Sequence, residues 1–157
     1  MQLSQICVGL GILAIVLIPV TAGAHCQIPC GIYDDSLRFV MLNEHITTIE
    51  KSMKEITALS AATDKNYNQI VRWVTNKDDH ADKFTEVVSY YFLTQRIKPV
   101  DPSDAVGHAD YLKKIEMLHQ MLVYAMKCKQ TTDLANTEKL KQLAADFKTL
   151  YFAGESK

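Results

Sequence analysis

The chain reads as all-α, a single antiparallel four-helix bundle, and three features carry that reading. After residue 24, Gly and Pro occur only at Pro29, Gly31, Pro99, Pro102, Gly107 and Gly154, so 32–98 and 108–153 hold no strong breaker. Within those stretches apolar residues recur at alternating steps of three and four, the spacing of one helical face. Period-two alternation over strand lengths is absent.

Asp34 or Asp35 can cap the first helix, whose seam runs Leu42, Ile46, Ile49, Met53, Ile56 and Leu59 before the polar break at 60–64. A second helix spans about 66–97, with Ile70, Val74, Ala81, Phe84, Val88 and Tyr91 on its seam and Lys77 interrupting it. Pro99 ends it, because proline disfavours helical backbone at the residue before it and has no amide hydrogen. Residues 99–107 form the longest connection. Tyr111, Ile115, Leu118, Leu122 and Ala125 mark the third helix, 131–133 break it, and Leu140, Leu143, Phe147 and Leu150 mark the fourth. Four such helices with mostly short links pack as an antiparallel bundle with left-handed crossings. Trp73, beside Val74, is expected at the edge of the seam or in a subunit contact.

Residues 1–24 contain no Asp, Glu, Lys, Arg or His, and 6–20 is almost wholly apolar, the profile of an export signal. Ala22 and Ala24 supply the small residues a signal peptidase requires, and Pro19 interrupts the apolar run. The alternative is an uncleaved anchor, since 6–24 offers 19 mostly apolar residues, near the spanning minimum. Cleavage after Ala24 leaves 133 of the 157 residues, enough for one domain. The expected organisation is therefore a leader at 1–24 and a mature domain at 25–157, exported to a periplasm, the exterior or an organelle lumen and free of the membrane once the leader is gone. With a formal charge of −1 and no long basic block, nucleic acid is not an expected partner.

Cys7 lies in the leader, which leaves Cys26, Cys30 and Cys128, an odd number for an oxidising compartment. A Cys26–Cys30 bridge is open, and Cys128 reads as a packed or surface thiol. Cleavage would make His25 the N-terminus of the string His25-Cys26-Gln27-Ile28-Pro29-Cys30-Gly31-Ile32-Tyr33. An amine, an imidazole, an amide and two thiols then fall within six residues. A freed amine, with a pKa of about 7.7–8.0, yields its proton to a metal far more readily than a lysine does. The His25 amine and Cys26 amide nitrogens close one small chelate ring, the Cys26 sulfur closes the next, and Cys30 can supply the fourth corner. Two nitrogens and two sulfurs in a plane suit Ni(II) or Cu(II). Pro29 and Gly31 suit the tight reversal between the sulfurs. As a spacing alone, C-x3-C is a weak signal.

The full string H-C-x-x-P-C-G-x-Y at the start of a mature chain closely resembles the nickel hook of nickel-containing superoxide dismutases. Chain size, the all-helical reading and Tyr90-Tyr91-Phe92 near the end of the second helix are similar to that family's compact subunits. The resemblance implies a bundle preceded by a metal-binding hook at 25–33 and one nickel ion per subunit. Its ligands would be the His25 amine, the Cys26 amide and thiolate and the Cys30 thiolate, with the His25 imidazole joining axially in Ni(III). Tyr33 matches the hook tyrosine, implied to stand catalytically at the open face of the metal, and Tyr91 is a looser match to a second tyrosine. The implied reaction is disproportionation of superoxide to dioxygen and hydrogen peroxide by Ni(III)/Ni(II) cycling. The implied partners are a peptidase that exposes His25 and further copies of the chain in a homohexamer.

Two positions depart from that pattern. Counted from His25, the place of a glutamate that orients the axial imidazole falls on Met41, with Glu44 a turn further along as a substitute. For the arginine that a neighbouring subunit offers to that glutamate, Lys77 is the only suggestion. An exported nickel or copper carrier using the same thiols without turnover is the rival function, and a structural bundle with a Cys26–Cys30 disulfide ranks last. Glu116 and His119 form an E-x-x-H, but a di-metal bundle site needs a second such pair, and none exists. His119, His45, His80 and His108 are read as partly buried, solvated or capping residues, and the absence of C-x-x-C-H argues against covalent haem.

Overall fold

The computed structural model describes residues 35–153. Helix α1 spans Asp35–Ala61 and α2 Tyr67–Glu86, the latter continuing without a break into a π-helical segment, Val87–Arg96. Helices α3 (Ala105–Gln130) and α4 (Ala135–Ala153) complete the all-α bundle. Helix α1 packs on α2 and α4, and α3 packs on the same two, so the four close into a ring in chain order. The start of α1 meets the end of the π segment and the end of α4 through Asp35, Tyr91, Arg96 and Tyr151, which makes neighbouring helices antiparallel.

The seams supply the core. Leu42, Ile46, Ile49, Met53, Phe84, Val88, Leu118, Leu140 and Phe147 are fully buried. At one end Phe39, Phe92 and Phe147 cluster, with ring centroids 4.9 Å apart for Phe39–Phe92 and 5.1 Å, at 90°, for Phe92–Phe147. Tilted and edge-on arrangements of this kind add to area burial. Phe39 extends the α1 seam one turn earlier than the expected start at Leu42, while Leu59 is only half-buried. In α3 the fully buried residue beside Leu118 is Met121, with Tyr111, Ile115 and Leu122 half-buried.

The first half of α2 departs from expectation. Ile70 and Trp73 are half-buried and Val74 is 37% exposed, so this stretch runs along the edge of the core, and the Lys51 ammonium sits 5.8 Å above the Trp73 ring. Lys77, read as an interruption of the seam, is instead 3% exposed and part of the interior. Its Nζ donates to the carbonyls of Cys128 (2.7 Å) and Lys129 (2.5 Å) and to the Asp78 carboxylate (2.9 Å). The last carbonyls of a helix have no partner within it and carry its negative dipole end, so one ammonium satisfies two acceptors of α3 and the field as well. Cys128 is a packed thiol, its pKa pushed up to about 11 by burial against the opposing pull of Lys77.

Caps place the remaining ends. Asn66 accepts from the Gln69 amide at 3.2 Å, and Asp104 accepts from the Gly107 amide at 3.0 Å, starting α3 two residues before the expected end of the loop. A Cβ at Gly107 would stand 2.3 Å from the Asp104 carboxylate, so only glycine lets that cap close. The Lys77→Ala substitution is expected to lower stability by about 1–3 kcal/mol in urea unfolding, because it strands the buried Cys128 carbonyl and frees the part-buried Lys129 carbonyl. A change under about 0.5 kcal/mol would show that the ammonium does not hold α3 in place.

Candidate metal centre

His25, Cys26, Cys30 and Tyr33 lie outside the described residues. Chain length alone bounds their reach: at roughly 3.6 Å per residue, Tyr33 can lie no more than about 7 Å from Asp35, and His25 no more than about 36 Å. The start of α1 is the described surface nearest to them along the chain.

That surface is organised by the Asp35 carboxylate. Tyr91 donates to Oδ1, Tyr151 donates to Oδ2 at 2.7 Å, and the Arg96 Nε stands 2.9 Å from Oδ1. Arg96 also donates through Nη2 to the Tyr91 hydroxyl at 2.8 Å. Burial would raise the Asp35 pKa, but the hydrogen bonds from Tyr91 and Tyr151 and the Arg96 charge hold it below the ordinary carboxylate range. Tyr91 moves up, first through burial and then through the charge it donates to, so it stays a protonated donor.

The π segment delivers Arg96 to this cluster. In an α-helix residues three and four apart share a face, whereas here contacts recur five apart: Ile97 N to Phe92 O at 2.9 Å, Thr94 Oγ1 to Ser89 O at 2.7 Å, Gln95 Nε2 to Tyr90 O at 3.0 Å. The Arg96 guanidinium therefore lies 4.9 Å from the Tyr91 ring centroid. Wide turns of this kind concentrate at functional sites.

Beside the cluster opens a hollow of about 310 Å³ lined by Arg38, Met41, His45, Lys83, Tyr90 and Tyr91, with Glu86 at its margin. Arg38 stands 4.8 Å from the Tyr91 ring centroid and directs Nη1 at the Met41 sulfur, 3.2 Å away. Met41, at the glutamate position of the hook pattern, thus offers a weak thioether acceptor to an arginine of its own chain. Of the aromatic triplet, Tyr91 and Phe92 point inward and Tyr90, 53% exposed, faces the hollow.

Glu44 is exposed and borders an adjoining hollow with His45 and His80. The two imidazoles meet there, Nδ1 to Nδ1 at 3.1 Å. Burial lowers both pKa values; the neighbouring His80 and Lys83 add to this at His45, and Lys83 does so at His80, while Glu44 and Asp79 respectively oppose it. The ammonium of Lys77, the suggested stand-in for the arginine, is engaged within its own chain by the carbonyls of Cys128 and Lys129 and by the Asp78 carboxylate. Glu116 and His119 are exposed, and among the described residues no three His, Cys, Asp or Glu side chains converge on a metal-sized point.

The sequence reading missed Arg38, Arg96 and the His45–His80 pair, and saw Asp35 only as a cap. An aspartate and an arginine at opposite ends of two antiparallel helices carry no local signal of pairing, and nothing in 87–96 announces a π register.

The fold is therefore an all-α bundle with a charged, tyrosine-rich wall at the end where α1 begins. A family model described as nickel-containing superoxide dismutase matches residues 20–155, taking in 25–33 and all four helices. The chain belongs to that family: it is a nickel-dependent oxidoreductase acting on superoxide. No curated protein and no solved structure matches it.

Replacing Asp35 with Asn is expected to cost about 2–3 kcal/mol near neutral pH, by weakening charged hydrogen bonds in a mostly buried cluster. Because the folded-state pKa is depressed, that contribution is present in full above about pH 4 and fades as the pH falls through the folded-state value. Chemical denaturation of both proteins between pH 7 and pH 3 should show the two stabilities converging on the acid side. A constant gap would assign the cost to packing.

Proposed function

We propose that this enzyme disproportionates superoxide at nickel held by the His25 amine, the Cys26 amide and thiolate and the Cys30 thiolate, once the leader at 1–24 is removed. The match across 20–155 is the observation that carries this reading, since it spans the hook string as well as the bundle. The donor set fits the metal: two thiolates and a deprotonated amide donate strongly enough to stabilise a higher oxidation state in a planar site. When bound, nickel supplies a one-electron Ni(III)/Ni(II) couple, through which one superoxide is oxidised to dioxygen and a second, with two protons, is reduced to hydrogen peroxide.

The protein's share is electrostatic and positional. Arg96 and Asp35 offset each other as an ion pair, and of the other charged groups Arg38 and Lys83 face the single carboxylate of Glu86 around the hollow, so the field there is positive by one charge and draws in an anionic substrate. Tyr33 would orient the small substrate and pass protons to it, while Tyr91, clamped between Asp35 and Arg96, is a fixed hydroxyl on the wall. Because Met41 cannot carry charge, the carboxylate that steadies the His25 imidazole is Glu44. The chain is exported, and in a homohexamer each hook is sheltered by a neighbour, which keeps the thiolates from oxidation.

The mature chain starting at His25 and loaded with nickel should remove superoxide in proportion to its metal content. One residue added before His25, or Cys26→Ser or Cys30→Ser, should reduce the rate to that of the metal-free protein. Equal activity from the extended chain would refute the amine ligand, and stoichiometric nickel without superoxide decay would identify a carrier.

A further inference from the structure

We propose that His45 and His80 form a second transition-metal site, on the face shared by α1 and α2 and independent of the hook. Each ring is half-buried and held by a different helix, 35 residues apart in the chain, with ring centroids 5.1 Å apart and planes at 67°. Packing of α1 against α2 fixes both backbones, so the pair is organised before any ligand arrives.

The Nδ1–Nδ1 separation carries the inference. At 3.1 Å, two neutral imidazoles share one proton, one ring donating from Nδ1–H to the lone pair of the other. A divalent cation fits in place of that proton. With metal–nitrogen bonds of about 2.0–2.1 Å, a 3.1 Å span subtends roughly 95–100° at the metal, between the square and the tetrahedral angle. Asn43 and Thr48 border the same hollow with neutral oxygen atoms, and water completes the shell. Two imidazole nitrogens with water are a donor set for Cu(II), Ni(II) or Zn(II), with Cu(II) the tightest. With only two nitrogen ligands, the site is an exchangeable one at the surface, unlike the closed donor set of the hook.

The test silences the hook, using the mature chain with one extra N-terminal residue together with His25→Ala, Cys26→Ser and Cys30→Ser, so that no amine–amide–imidazole chelate remains at the terminus and the outcome does not depend on the hook reading. Titration of this protein with Cu(II) should show one equivalent whose pulsed EPR spectrum reports two imidazole nitrogens. Adding His45→Ala or His80→Ala should weaken that equivalent by at least about tenfold and leave one imidazole in the spectrum. His108→Ala and His119→Ala should leave it unchanged. Gln variants at 45 and 80, which retain hydrogen-bonding capacity between the helices, give the same reading if an Ala variant is unstable. Equal Cu(II) stoichiometry and affinity with both histidines replaced, or a spectrum without two imidazoles in the parent, would overturn the site and leave the pair as a hydrogen bond only.

Discussion

The Asp35 carboxylate sits where three chain segments must meet: the first turn of α1, the end of the π segment and the last turn of α4. Two tyrosine hydroxyls and one guanidinium converge on it, Tyr91 and Arg96 from the π segment and Tyr151 from α4. A buried carboxylate is tolerated only when its charge is answered in this way, so the cluster constrains all three segments together. The aromatic cluster of Phe39, Phe92 and Phe147 lies next to it along the same helices, which joins the polar cluster to the hydrophobic core.

The fold was legible because the bundle rests on local periodicity. Each seam could be found from apolar spacing, and each helix end from a capping side chain, a proline or a polar break. What was not legible is what depends on tertiary context. Lys77 looked like a fault in the α2 seam because a lysine has no place in a core; its place is made by the last carbonyls of α3, some fifty residues away. The early turns of α2 have helical apolar spacing but border the rim, and spacing does not tell a rim from a core. The wide turns of 87–96 leave residues five apart in register, which reassigns Arg96 from a helix terminus to the Asp35 cluster.

The site divides in the same way. The hook string is contiguous, so its donor atoms and their order can be read directly, and the family match across 20–155 agrees with the nickel enzyme that the string resembles. The wall is assembled from separate stretches, and the sequence named Asp35, Met41, Tyr90 and Tyr91 from it without the pairings that join them. Met41 shows how the two parts trade. Where the hook pattern anticipates a glutamate, this chain has a thioether paired with its own Arg38, which leaves the hollow more positive than a carboxylate there would.

The central claim is that nickel sits on sulfur and main-chain nitrogen of a chain that begins at His25. Nickel-edge X-ray absorption on active protein, with the N-terminus of the same sample read by mass spectrometry, addresses it most directly. Two sulfur scatterers together with nitrogen, on a chain starting at His25, is the expected result. Coordination by nitrogen and oxygen alone, or activity residing in a chain that retains residues 1–24, would contradict it.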